Sequence, residues 1–92
     1  MSVADTIRSR LREAFDPLEL EVVDESARHK GHAGADPAGE SHFRVRIVAE
    51  AFGGTSRVAR QRAVNAALKD LLEGRVHALA MTALTPAEAR GD

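Results

Sequence analysis

Residues 42–84 read HFRVRIVAEAFGGTSRVARQRAVNAALKDLLEGRVHALAMTAL. Apolar and polar side chains alternate from Phe43 to Ile47, which predicts a half-buried strand. Gly53-Gly54 predicts a turn, and apolar residues then recur at helical spacing as far as Gly74. The apolar run from Val76 to Leu84 predicts a second, well buried strand. A strand–helix–strand unit favours parallel pairing of its strands, so this stretch decides the fold.

The flanking segments add elements at both ends of this unit. Apolar spacing predicts a helix that Ser2 caps and that Asp16-Pro17 ends. Alternation from Leu18 to Val22 predicts a strand that pairs antiparallel with Phe43–Ile47. Thr85-Pro86-Ala87-Glu88 is typical of a capping box, which predicts a short, frayed tail over residues 85–92. The expected fold is a single α+β domain, of order α-β-β-α-β(-α), with helices on one face of a three-stranded mixed sheet.

A polar segment separates the first two predicted strands. Residues 24–41 contain several glycines and a proline, together with His29 and His32. Because loops of this length are usually functional or disordered, we interpret the segment as a flexible histidine-containing loop.

The composition excludes several classes of function. The 92 residues include no cysteine, which removes disulfides, thiol catalysis and a self-contained cysteine cluster site. The sequence has no nucleophile elbow, Walker loop or HExxH motif, so we expect no enzymatic activity. No apolar run approaches a membrane span and no signal peptide is evident. We therefore expect a cytoplasmic protein.

The charges are unevenly distributed along the chain. Residues 41–69 carry six Lys or Arg and one acid, a net charge of +5, although the whole chain carries −1. Such asymmetry suggests an anionic partner, and DNA is one candidate. The candidate phosphate contacts are Arg57, Arg60, Arg62 and Lys69. The alternative is a solvated helix face that binds nothing.

The histidines form a second candidate site, because neutral imidazole is the commonest metal ligand in proteins. His29 and His32 lie in the glycine-containing loop, where the alternative is a solvated polar segment. His77 shares strand parity with Leu79 and Met81, so it is either a core or edge histidine or a ligand. His42 shares parity with arginines and is interpreted as a surface residue.

In combination, these segments resemble the BolA family. The resemblance rests on Val22-Val23-Asp24-Glu25-Ser26, Glu40-Ser41-His42-Phe43-Arg44-Val45, Phe52-Gly53 before Arg60-Gln61-Arg62-Ala63-Val64, and Val76-His77-Ala78-Leu79-Ala80-Met81. Each segment is weak evidence by itself, but the ordered series covers nearly the whole chain. The resemblance implies a fold similar to the class II KH arrangement over residues 1–92.

The resemblance also implies a partner and a cofactor. BolA-like proteins pair with monothiol glutaredoxins and share a two-iron two-sulfur cluster, ligated by glutaredoxin and glutathione sulfurs and by BolA histidines. The family is also described as transcriptional regulators that act on DNA. By resemblance, His77 is a metal ligand, and the second ligand is His29 or His32, depending on which end of the loop is used for counting. Gln61 stands where many members have histidine, which weakens any role for that position.

Overall fold

The computed structural model describes residues 2–25 and 42–91. Most of the predicted loop at residues 24–41, including His29 and His32, therefore lies outside the described residues. The elements in chain order are α1 (Val3–Phe15), β1 (Glu19–Asp24), β2 (His42–Val48), a 3-10 turn (Glu50–Phe52), α2 (Arg57–Ala67), α3 (Lys69–Glu73), β3 (Ala78–Leu84) and α4 (Pro86–Arg90).

The strands form a three-stranded mixed sheet of order β1-β2-β3. The β1 strand pairs antiparallel with β2, and Val22 lies opposite Val45. The β2 strand pairs parallel with β3, and His42 lies opposite Ala78. The predicted α+β class and mixed sheet are confirmed. The comparison with class II KH domains stays a prediction.

The core lies between one face of the sheet and the helices. Ile7 and Leu11 of α1 and Val64 of α2 are fully buried against Val45 and Ile47 of β2. These positions are the apolar faces that helical and strand spacing predict, and their burial supplies the main driving force for folding. In those two described segments, none of the helices is long and apolar enough to cross a membrane.

The first helix begins and ends close to its predicted limits. The Ser2 hydroxyl oxygen accepts a hydrogen bond from the Asp5 amide at 3.1 Å. Asp16 has a left-handed φ of 48° and its amide donates to the Arg12 carbonyl, which ends the helix before Pro17. Leu18, predicted to be the first inward strand position, is instead 63% exposed because β1 begins at Glu19.

The helix predicted to run as far as Gly74 is divided at Leu68. The Leu68 backbone leaves helical geometry at φ −111° and ψ 16°, so α2 ends at Ala67 and α3 begins at Lys69. The Leu68 side chain is nevertheless buried in the core. Val58, near the start of α2, is 54% exposed and lies outside the core.

The last strand differs most from its prediction. The sequence predicts a well buried strand from Val76, whereas β3 begins at Ala78 and lies at one edge of the described sheet. Its side chains alternate between the packed and open faces, so Ala78, Ala80 and Thr82 are exposed. The predicted capping box of α4 is present, and it holds the first turn of a helix that the sequence predicts to be frayed.

Candidate functional site

His77 lies immediately before β3 and is exposed. Its chain neighbour Val76 is buried, and the Val76 amide donates to the Leu71 carbonyl at 2.9 Å. The backbone at His77 is thus fixed on one side by this buried anchor and on the other by the β2–β3 ladder. The alternative of a core histidine is wrong because His77 is exposed, and the choice between an edge histidine and a ligand stays a prediction.

His42 is the neighbour of His77 in space, although 34 residues separate the two in the sequence. The parallel register sets His42 opposite Ala78, which brings the two imidazole rings together. Their centroids are 6.4 Å apart and their planes are inclined by 76°. His42 is half-buried rather than a free surface residue. Sequence reasoning missed this pair, although both histidines begin strands predicted to be parallel.

The end of β1 is tied to the start of β2 beside this pair. The Glu25 amide donates to the His42 carbonyl at 2.8 Å. The Glu25 carboxylate forms an ion pair with Arg44 at 3.3 Å, and its side chain is 18% exposed. His42 therefore has a fixed backbone. The other two candidate ligands, His29 and His32, fall in the part of the chain that the structure does not describe.

The donors at this site are imidazoles without a thiolate. Among residues 2–25 and 42–91, no group of three or more His, Cys, Asp or Glu side chains is placed to hold a metal ion. The chain contributes two imidazoles and, having no cysteine, no thiolate. Two imidazoles fit one iron of a cluster whose other ligands are thiolates, as in Rieske-type centres.

The basic stretch at residues 41–69 is largely neutralised in the folded protein. Four of its six basic side chains form ion pairs, and all four acids lie outside this stretch. The pairs are Arg44–Glu25, Arg46–Glu19, Arg60–Glu88 and Lys69–Glu73. A local excess of positive charge in the sequence therefore does not become an equal excess on the surface.

Arg60 is buried and occupied within the fold. Its guanidinium donates to the carbonyl oxygens of Thr55 and Ala83 at 3.2 and 3.0 Å, and it forms an ion pair with Glu88 at 2.5 Å. The Arg60 side chain is 7% exposed. The prediction that Arg60 contacts phosphate is corrected by this geometry, because the side chain is buried and its Nε and Nη1 donate within the fold.

Arg57 and Arg62 remain as candidate anion contacts on the exposed part of α2. Neither side chain has an ion pair or side-chain hydrogen bond within the described segments. The Ser56 hydroxyl oxygen caps this helix by accepting from the Ala59 amide at 3.1 Å. Arg57 and Gln61 also line a groove of about 490 Å³ that runs along β3. Lys69 is exposed and lies 3.9 Å from Glu73.

Comparisons with known proteins identify relatives over almost the whole chain. The family model for BolA-like proteins matches residues 11–88. An uncharacterized protein in the cobS 5' region of Sinorhizobium sp is 54% identical, over 96% of both chains. BolA-like protein 1 of Homo sapiens is 48% identical over 96% of this chain and 61% of the human protein, so the chain spans less than two thirds of that relative. The DNA-binding transcriptional regulator BolA of Escherichia coli is 42% identical, over 99% of this chain and 83% of that protein.

The fold is shared as well as the sequence. The solved BolA domain of SufE1 from Arabidopsis thaliana superimposes with a TM-score of 0.85 and is 46% identical, over 96% of both chains. The residues that the family model matches, 11–88, include both His42 and His77. This chain therefore belongs to the BolA-like protein family.

Proposed function

We propose that this protein is an adaptor that binds a monothiol glutaredoxin and co-ligates a shared two-iron two-sulfur cluster in iron–sulfur homeostasis. His77 is the principal ligand contributed by this chain. The observation that supports the proposal is the exposed imidazole of His77, which is attached to a fixed backbone. The centroid of this ring lies 6.4 Å from the centroid of the His42 ring. The protein acts in the cytoplasm and is not an enzyme.

The lack of cysteine makes a partner necessary for this function. Iron–sulfur clusters are held mainly by cysteine thiolates, and imidazoles replace thiolates at one iron in Rieske-type centres. This chain has histidines and no cysteine, so the sulfur ligands come from the glutaredoxin and from glutathione. Each molecule then supplies only part of the coordination, and the cluster forms only in the complex.

The position of His77 suits a ligand better than a structural residue. An exposed side chain contributes little to packing, whereas a fixed backbone limits the freedom that the imidazole loses when it binds metal.

Anaerobic reconstitution tests the proposal. The isolated chain incubated with iron and sulfide should be colourless after desalting, and a mixture with a monothiol glutaredoxin and glutathione should show a cluster spectrum. His77→Ala should make that cluster labile or spectrally altered, with little change in melting temperature. Arg75→Ala, an exposed substitution two residues away, is the matched control and should leave both unchanged.

Two outcomes would contradict the proposal. A stable, stoichiometric cluster on the isolated chain would remove the need for a partner. A large drop in melting temperature for His77→Ala with an unchanged visible circular dichroism spectrum would show that the imidazole is structural.

A second candidate function is DNA binding. It is supported by the relative from Escherichia coli, which is named a DNA-binding transcriptional regulator, and by the exposed arginines Arg57 and Arg62. These side chains lie at the start of α2 and in its middle and suit contacts to phosphates, which position a protein without reading the sequence. The two proposed functions use different side chains.

A further inference from the structure

We propose that His42 and His77 together bind a divalent first-row transition-metal ion in the isolated chain, without any partner. This inference goes beyond cluster binding with glutaredoxin and does not depend on it. It rests on the convergence of two imidazoles, one at the start of β2 and one on the residue before β3, with ring centroids 6.4 Å apart.

The observed ring separation is close to that of a chelating pair. Metal–nitrogen bonds of about 2.0–2.1 Å to one tetrahedral ion place two imidazole centroids roughly 5 Å apart. The ring centroids of His42 and His77 must therefore come about 1 Å closer together to bind one ion. Rotation about the Cα–Cβ bond of the exposed His77 supplies this movement without a backbone shift, and the broad terminal torsion then turns a ring nitrogen towards the ion.

Both backbones are held in place before metal binds. His42 is part of the β2–β3 ladder, and its carbonyl oxygen accepts from the Glu25 amide at 2.8 Å. His77 lies between the buried Val76 and the first ladder residue, Ala78. Because the strand register fixes the distance between the two residues, metal binding has to order only two rings.

The donor set defines the class of ion. Imidazole suits zinc, copper and nickel, whereas magnesium and calcium prefer oxygen ligands. Two protein ligands leave the remaining coordination positions to water or to a group from another molecule. The site is therefore weaker than a four-ligand structural zinc site, and its affinity should follow the order Cu²⁺ above Zn²⁺.

Zinc titration of the isolated ¹⁵N-labelled chain, followed by imidazole NMR signals and by calorimetry, tests the site. We expect one zinc ion per chain, with signal changes at His42 and His77, and no response to Mg²⁺. His77→Ala and His42→Ala should each weaken zinc binding at least tenfold. Because His42 is half-buried, His42→Gln provides a second variant that retains a polar side chain.

Arg75→Ala, an exposed substitution two residues from His77, is the matched control and should retain the zinc affinity of the unmodified protein. The double variant His29→Ala, His32→Ala tests the rival ligands. Unchanged affinity in both His42 variants would overturn the proposal, as would loss of binding in the double variant alone. Failure of zinc binding is distinguishable from failure of the proposed function, because glutaredoxin is absent from this titration.

Discussion

The Arg60 guanidinium lies 2.5 Å from the Glu88 carboxylate and links α2 to α4. The same guanidinium nitrogen donates to the Ala83 carbonyl at 3.0 Å. Because the next carbonyl, that of Leu84, accepts from Ala49 beyond the end of β2, the Ala83 carbonyl points towards the free edge of β3. Arg60 therefore donates to the Ala83 carbonyl, which has no partner strand because β3 lies at the edge of the described sheet. The side chain thus joins α2, α4 and β3.

Arg60→Ala should destabilise the fold. The substitution removes the buried guanidinium, its hydrogen bonds to the carbonyl oxygens of Thr55 and Ala83 and its ion pair with Glu88, and a hydrogen bond to a charged group contributes about 1.5–3 kcal/mol. We expect a total loss of about 2–4 kcal/mol in the free energy of unfolding, measured by urea denaturation.

Arg57→Ala is the matched control for that measurement. Arg57 lies in the first turn of the same helix but is exposed, so its removal should change stability by less than about 0.5 kcal/mol. Equal effects of the two substitutions would show that the buried contacts of Arg60 contribute little.

The Arg60–Glu88 pair should also make stability depend on pH. The hydrogen bond from Arg60, with a second from the Thr85 amide, lowers the pKa of Glu88 from 4.5 to about 2. A carboxyl whose pKa is lower in the folded protein stabilises it above the unfolded value, and this contribution disappears as the pH falls from about 4.5 towards 2. Glu88→Gln should therefore lower the melting temperature more at pH 7 than at pH 3. Glu73→Gln, at an exposed ion pair, should show a much smaller pH-dependent difference.

The ion pair between Arg10 of α1 and Asp70 of α3 should respond to salt. Both Asp70 oxygens accept from the Arg10 guanidinium, which lowers the pKa of Asp70 and raises that of Arg10. Both side chains are exposed, so the pair is screened by ions. Asp70→Asn should lower the melting temperature slightly at low salt and have almost no effect in 1 M NaCl. An equal effect at both salt concentrations would indicate a role other than charge pairing.

The arrangement of the strands could be predicted from the sequence because it follows from local patterns. Alternation marks β1 and β2, and the intervening helix favours a parallel partner for β2. The break at Leu68 could not be predicted in this way, because neither proline nor glycine interrupts the helical spacing there. The exposure of β3 also depends on tertiary structure, since an apolar run does not reveal whether a strand is central or at an edge.

The candidate site was predictable only in part, for a related reason. His77 is identified by its family resemblance, but its neighbour His42 depends on the register between two strands. Arg60 lies four residues before the buried Val64 and so shares its face of α2, whereas Arg62 lies on the exposed face. Helical spacing therefore indicates that Arg60 faces the core, but its partners at Ala83 and Glu88 depend on long-range placement.

DNA binding, if present, should depend on Arg57 and Arg62. Both are exposed and have no ion pair in the described part of the chain, so each is available for a phosphate. Replacing both with Gln should weaken DNA binding and reduce the slope of log affinity against log salt by roughly one unit per lost contact. Lys69→Gln should have a smaller effect because Glu73 lies 3.9 Å away. A fluorescence anisotropy titration at several salt concentrations measures both quantities, and an unchanged slope in the double variant would place the DNA contacts on another surface.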